Sequence, residues 1–368
     1  MSQIRIEQIE LRKVSLPLVT PWVSGLHQFA ERESIVVRIR TNLGEGWGEC
    51  PALAQPTYSA EYTDSAYLMC SEYLIPMLLE LERPSAETFR AAARSIVGHP
   101  MAKFGIELAL CDLAAQIEGC SLAGLLGGTA TQVPAGVVCG TQPDAASAVA
   151  TVSALVTQGY RRFKIKTEPG NDMEILSALR EVFPDLQLGV DANSAYAEEP
   201  EAVRQLDQFE LWCIEQPLGA EDLLGHAILN QTLQTPICLD EPISSLEHTV
   251  TALTLGAANM VNLKPARVGG LLEACEIHDL CQQRGVSLFV GGLLETGIGR
   301  AANVALASLP GMTHPGDLSA NARFYQEDIV SNPFELVDGS LTVPTGPGLG
   351  VVIDLDNLER FTTRVQQF

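Results

Sequence analysis

Five charged residues recur through the middle of the chain at a nearly constant interval. They are Lys166, Asp191, Glu215, Asp240 and Lys264, separated by 25, 24, 25 and 24 residues. Each closes a short apolar run, within FKIK (163–166), GVDAN (189–193), WCIEQP (212–217), ICLDEP (237–242) and VNLKPARVGG (261–270). Asp191, Glu215 and Asp240 offer hard oxygen donors with no sulfur or imidazole, a set that suits Mg²⁺, with Mn²⁺ as a substitute. Lys164 and Lys166 stand two apart on a strand and point to the same side. Lys264 faces them from the opposite wall, with Arg267 just beyond it. Repulsion between ammonium groups and a nearby divalent ion favours the neutral amine, which moves a lysine from about 10.4 toward the range of a general base. A metal holding a substrate carboxylate, and a lysine taking the proton beside it, together make a site for enediolate chemistry.

Elements of one kind must repeat to place those charges. One strand, one helix and two loops use roughly two dozen residues in an α/β barrel. The spacing therefore predicts five charges at one end of five successive parallel strands, the end that carries catalysis in such barrels. Strands are predicted at Val133–Val138, Arg162–Lys166, Gln187–Asp191, Leu211–Glu215, Pro236–Asp240, Met260–Lys264, Ser287–Gly291 and Gly311–His314. Helices between them include Ala145–Gln158, Asp172–Val182, Glu201–Gln208, Ser245–Leu255 and Leu271–Arg284. Eight strands in this length favour a closed ring with one incomplete unit at its end. The fold expected is α/β, a modified TIM barrel of (β/α)7β type over residues 128–320. No GxGxxG follows the first strand, so a dinucleotide-binding sheet has no support.

Residues 1–127 read as an α+β capping domain. Ile4–Leu16 alternates like a strand before Pro17 and Pro21 interrupt it, and Ser34–Thr41 and Gly46–Cys50 continue a meander. Between the first two strands lies a predicted loop, Pro21–Glu31, with Trp22, Gly25, His27 and Phe29. Ala102–Gln116 is apolar on two faces and predicts a sandwiched helix, with Glu107 and Asp112 as structural charges. The tail, 321–368, is too short for a domain and is expected to return to the cap.

A net charge of −22 and a pI near 4.6 argue against nucleic acid and anionic membranes as partners. No apolar run reaches the roughly 18 residues that span a bilayer. The first residues lack the apolar core of a signal peptide. Nine cysteines without a CxxC pair predict free thiols in a reducing, cytoplasmic setting. A small-molecule carboxylate is the expected partner, and self-association as a homo-oligomer is expected.

The motifs KIK, DAN, IEQP, LDEP and LKPARVGG, with the GWGEC strand and ELALCDLAAQ helix of the cap, resemble the enolase superfamily, specifically its muconate-cycloisomerase-like subgroup. Lysine paired with Mg²⁺ is a general pattern of that superfamily. The stretches 291–311 and 344–351 are most similar to the branch holding o-succinylbenzoate synthases of menaquinone synthesis and N-succinylamino acid (N-acylamino acid) racemases. The resemblance implies that Lys166 removes the α-proton and returns it as acid in syn dehydration. It casts Lys264 as the enediolate-stabilising group and second acid/base, with Lys164 assisting Lys166. Asn193 and Glu241 would surround the metal set, and Arg267 matches a position linked with racemase competence. Trp22, Leu53, Gly291, Gly292, Leu293 and Glu295 would contact substrate, under specificity loops 20–31 and 50–58. One departure is Val138, where many relatives carry serine. Dipeptide epimerases usually carry Asp-x-Asp after the eighth strand, whereas GDLSAN (316–321) has only Asp317. Muconate-type lactonisation would use the same lysines and acids. A silent scaffold barrel would show decay of the charged set, and every member is present.

Overall fold

The computed structural model describes residues 4–24, 27–312 and 314–368. Strands Ile6–Ser24, His27–Thr41 and Gly44–Cys50 form an antiparallel sheet whose fourth strand is the C-terminal Thr362–Gln367, paired with the first. Pro17 and Pro21 do not end the first strand. Its pairing with the second instead slips between Pro17 and Trp22 and resumes at Trp22–Phe29. Thr362–Gln367 covers only Glu10–Val14, and beyond it the edge is held by a single bridge of Leu18 to Tyr325, so the prolines lie on a lightly paired edge where a missing donor costs little. Residues 20–24 and 27–31 of the predicted loop thus belong to paired strands, and Gly25 and Leu26 lie outside the described residues.

The sheet packs on helix Pro100–Glu118 at a separation only glycine permits. A Cβ at Gly46 or Gly48 would stand 2.0 Å from the carbonyl oxygens of Ala109 and Gly105. Asp112, on that helix, accepts from Trp47 N–H (2.8 Å) and Leu349 N–H (2.7 Å), which fastens helix, sheet and tail together. Glu107 accepts from Leu272 N–H at 3.0 Å, at the start of barrel helix Leu271–Arg284. Burial pushes its carboxyl up to about 7.

Seven parallel strands follow in sequential order: Gly136–Cys139, Arg162–Lys166, Gln187–Asp191, Ile214–Glu215, Ile237–Leu239, Met260–Leu263 and Ser287–Val290. The eighth strand was expected at 311–314, where Thr313 lies outside the described residues. The ring is joined slightly later, by a single parallel bridge between Ala135 and Gly316. Gly136 N–H donates to Gly316 O at 2.7 Å, and Asp317 N–H donates to Val290 O at 2.9 Å. One residue thus bonds to the first strand and its neighbour to the seventh. Val133 and Pro134, expected at the start of the first barrel strand, belong instead to Gln132–Pro134, which pairs with Ser340–Thr342. The predicted helix 201–208 is part of a 3-10 helix, Pro200–Phe209.

Outward-facing strand residues such as Phe163, Ile165, Val190 and Leu263 join one apolar core with the helices and cap. Inside the ring sits a small second cluster of Cys213, Cys238, Met260 and Phe289, with Trp212 against it. All nine cysteines are free thiols. No helix among the described residues is long and apolar enough to cross a membrane.

Two outcomes test this packing. Gly48→Ala should lower unfolding stability by about 2 kcal/mol in denaturant melts, whereas Gly219→Ala, with open space around it, should change it by less than about 0.5 kcal/mol. A carboxyl held near 7 when folded and 4.5 otherwise favours the folded state while protonated. Its contribution is therefore lost as pH rises through that window, and Glu107→Gln should flatten the corresponding slope of stability against pH.

Candidate active site

Arg162, Lys164 and Lys166 alternate with Phe163 and Ile165, so all three turn into the ring. Lys164 is 1% exposed and donates to Glu215 at 2.6 Å and to Asp317 at 2.7 Å. Arg162 lies deeper, donating to Asp317 at 2.6 Å with its guanidinium 4.5 Å from the Trp212 ring centroid. Lys166 reaches Asp191 at 2.9 Å and also bonds Asn193 Oδ1. Across the mouth, Lys264 donates to Asp240 at 2.8 Å and to Tyr58 Oη at 3.1 Å. Arg267 bonds the other oxygen of Asp240 and reaches Tyr58 Oη at 2.9 Å. The second and sixth strands of an eight-membered ring carry these lysines, which sets them on opposite walls.

Burial and mutual repulsion divide the acids of this site. Glu215 is pushed up to about 8 by burial and by Asp191, Asp240 and Asp317, against the opposing pull of Lys164. Burial likewise pushes Glu241 up to about 7. Asp240 goes the other way: burial raises it, but Arg267 and Lys264 outweigh burial and hold it at about 2. Burial also works against the charge on Lys164 and Lys264, yet Asp317 and Glu215 for the first, and Asp240 for the second, lift both above the ordinary lysine value. For Lys164 and Lys264 this is opposite to the depression expected beside a divalent ion. The sequence shows two ammonium groups near each other, whereas in the fold each lies against carboxylates.

The same pairing explains a second difference. Among the described residues no three His, Cys, Asp or Glu side chains stand as a ready metal cage, because Asp191, Glu215 and Asp240 each turn toward a lysine. Their chemistry nevertheless fits a hard divalent ion. All three are oxygen donors at adjacent strand ends, and Glu241 Oε2, lining the same cavity, is buried without a partner.

These groups open into a cavity of about 520 Å³ between barrel and cap. Of the predicted residues, Lys164, Lys166, Lys264, Asp191, Asp240, Asn193, Glu241, Trp22, Leu53, Gly292 and Leu293 line it. Glu215 and Arg267 do not: they lie beneath, against Lys164 and Asp240. Gly291 and Glu295, predicted to meet substrate, also sit behind the wall. Gly291 faces Asn262 and the Lys264 stem, where a Cβ would come 2.0 Å from Asn262 Oδ1. Glu295 accepts from Leu293 N–H at 2.8 Å and lies 3.3 Å from Arg300. Buried Arg32 ties the cap to this rim by donating to Ala52 O (2.9 Å) and Leu293 O (3.0 Å). Glu49 accepts from Thr296 Oγ1 (2.7 Å) and Gly299 N–H (2.8 Å) at the start of helix Gly297–Ala307.

Sequence reasoning passed over Arg162, Tyr58, Asn262 and Arg323, and met Asp317 only as a single acid where a dipeptide epimerase carries two. The first had a signal, since it continues the period-two row of Lys164 and Lys166. Asn262 precedes Lys264 by the same step and donates to Glu215 at 2.9 Å.

Residues 7–127 match the family described as mandelate racemase / muconate lactonizing enzyme, N-terminal domain, and residues 147–357 match enolase C-terminal domain-like. The chain belongs to the enolase superfamily. It is 46% identical over 363 residues to an N-succinylamino acid racemase of Amycolatopsis sp., covering 98% of both chains. It is 41% identical to an o-succinylbenzoate synthase of Bacillus subtilis strain 168, covering 99% of both. A solved enolase-superfamily member from Listeria innocua Clip11262 superposes with a TM-score of 0.96 at 37% identity, over 100% of this chain and 99% of that one. The chain is accordingly an enzyme of a superfamily whose chemistry begins with proton abstraction and is generally dependent on a divalent metal.

Asp317 compensates two buried cations at once. Asp317→Asn should lower unfolding stability by about 3 kcal/mol at neutral pH. Combining it with Arg162→Met should cost less than the sum of the single changes, measured as a double-mutant cycle.

Proposed function

We propose that this enzyme removes the proton α to a carboxylate, and that its reactions are the dehydration giving o-succinylbenzoate, the racemisation of N-succinylamino acids, or both. The observation that carries this reading is the pair of lysines on opposite walls, Lys166 and Lys264, each beside a carboxylate of one cavity. Asp191, Glu215 and Asp240 would hold Mg²⁺, or Mn²⁺ in its place, with Asn193 and Glu241 around them. The ion, when bound, supplies the positive charge that stabilises an enediolate. With Asp191 and Asp240 holding the ion, Lys166 and Lys264 would lose their carboxylate partners, while Lys164 would keep Asp317.

Lys166 then takes the α-proton. In dehydration the same ammonium delivers it to the departing β-hydroxyl, which leaves as water. In racemisation Lys264 gives a proton to the opposite face. Lys164, held by Glu215 and Asp317, supplies fixed positive charge beside Lys166 and restrains it. Arg267 keeps Asp240 ionised and oriented toward Lys264. Trp22, Leu53, Gly292 and Leu293 would bound the substrate. A dipeptide epimerase needs a free acid for a substrate ammonium, and Asp317 is fully engaged by Arg162 and Lys164.

Lys166→Ala should reduce both activities by at least about 10²-fold, the usual scale of a general base. Racemisation in D₂O, followed by α-deuterium incorporation, should require Lys166 and Lys264 alike. Unchanged racemisation in either alanine variant would refute the two-base assignment. Mg²⁺ titrated calorimetrically should bind the wild type, and at least about tenfold more weakly bind Asp240→Ala; equal affinity would remove Asp240 from the metal set.

A further inference from the structure

Arg323 stands apart from the other cations that line the cavity. Lys164, Lys166, Lys264 and Arg300 each lie within 3.3 Å of a carboxylate. Arg323 has no carboxylate in ion-pair reach among the described residues. Its guanidinium donates to Val138 O at 2.5 Å and Ser319 Oγ at 3.1 Å. It lies 5.9 Å from the Trp22 ring and 5.3 Å from the Phe324 ring, two aromatics that meet edge to face at 5.9 Å. All of these side chains border the cavity. Two neutral acceptors and two ring faces fix the plane of the guanidinium and engage two of its five N–H donors. The remaining donors keep the fork that binds a carboxylate in bidentate fashion.

Position strengthens the case. Val138 pairs in register with Lys164 on the next strand, and neighbouring strands lie about 4.8 Å apart. A guanidinium anchored on Val138 therefore sits a short acyl arm to one side of the lysines, beneath the cap. Val138 itself presents only methyl groups to the cavity, and a far carboxylate gains no hydroxyl there. Burial pulls Arg323 below the ordinary guanidinium value, as expected for a cation sequestered without a counter-charge.

We propose that Arg323 determines specificity for a dicarboxylate: it binds the carboxylate at the end of the substrate that does not react, opposite the end facing the paired lysines. This rests on the α-proton reading above for which end reacts, but not for the anion preference itself.

The test compares N-succinyl and N-butyryl derivatives of one amino acid, such as phenylalanine, which share acyl length and differ in the far carboxylate. Racemisation kinetics and calorimetric binding are measured on the Mg²⁺-loaded wild type, Arg323→Met and Arg323→Lys. The ratio of kcat/KM for succinyl over butyryl should fall roughly 10- to 100-fold in Arg323→Met, mainly through KM, with Arg323→Lys between. Equal losses on both compounds would mean a merely structural role and would overturn the proposal. So would a wild type that binds the two alike or binds neither. Turnover of both compounds with an unmoved ratio refutes Arg323 and leaves the proposed reaction standing. No turnover, with an Arg323-dependent binding preference for the succinyl compound, does the reverse.

Discussion

Lys164 is almost wholly removed from water, and its ammonium rests between Glu215 at 2.6 Å and Asp317 at 2.7 Å. A buried charge is tolerated only where opposite charge and hydrogen bonds replace the lost hydration. Around this lysine the requirement spreads outward. Asp317 is shared with Arg162, which is stacked on Trp212 inside the ring. Glu215 takes a further bond from Asn262. Asp240 is held between Lys264 and Arg267, and Tyr58 of the cap bonds to both cations. Members come from the second to sixth strands or the residues just after them, and from Asp317 beside the closing bridge, so the closed ring and the charge network depend on each other.

That dependence gives the cap a chemical part. Tyr58 descends from the cap to the Lys264 wall, and burial pushes its phenol up to about 12, so it stays neutral and can both donate and accept. Arg32 and Glu49 bind cap to barrel through backbone groups on either side of the rim. The mouth is therefore framed by two units whose relative placement is set by buried polar contacts, with glycine-permitted packing behind them.

Much of this was legible in the residue pattern. Regular charge spacing requires repeated βα units, and seven of the barrel strands fall where the apolar runs end. The eighth eluded the pattern because it has shrunk to a single bridge at Gly316, with no run of apolar residues to announce it. Asp317 stood out only as a lone acid after that strand, whereas it is the acid on which Arg162 and Lys164 converge. The end of the cap hairpin differs from its sequence reading because Pro17 and Pro21 signal a break, whereas a lightly paired strand edge absorbs them through a register slip. Gly291 and Glu295 show the limit of motif transfer: adjacent residues on one rim alternate between facing the cavity and supporting its wall. The lysine pKa direction was missed because type and spacing identify charges but not which partner each side chain selects. Arg323, in a stretch without periodic structure, gave no signal at all.

The central claim is that one divalent cation and two opposed amines share this mouth. Anomalous diffraction from Mn²⁺-soaked crystals tests it most directly. The account predicts one strong peak shared by the carboxylates of Asp191, Glu215 and Asp240, with the Lys166 and Lys264 amines on opposite sides of it. A peak held by other residues, or three carboxylates still bound to their lysines with no peak between them, would contradict it.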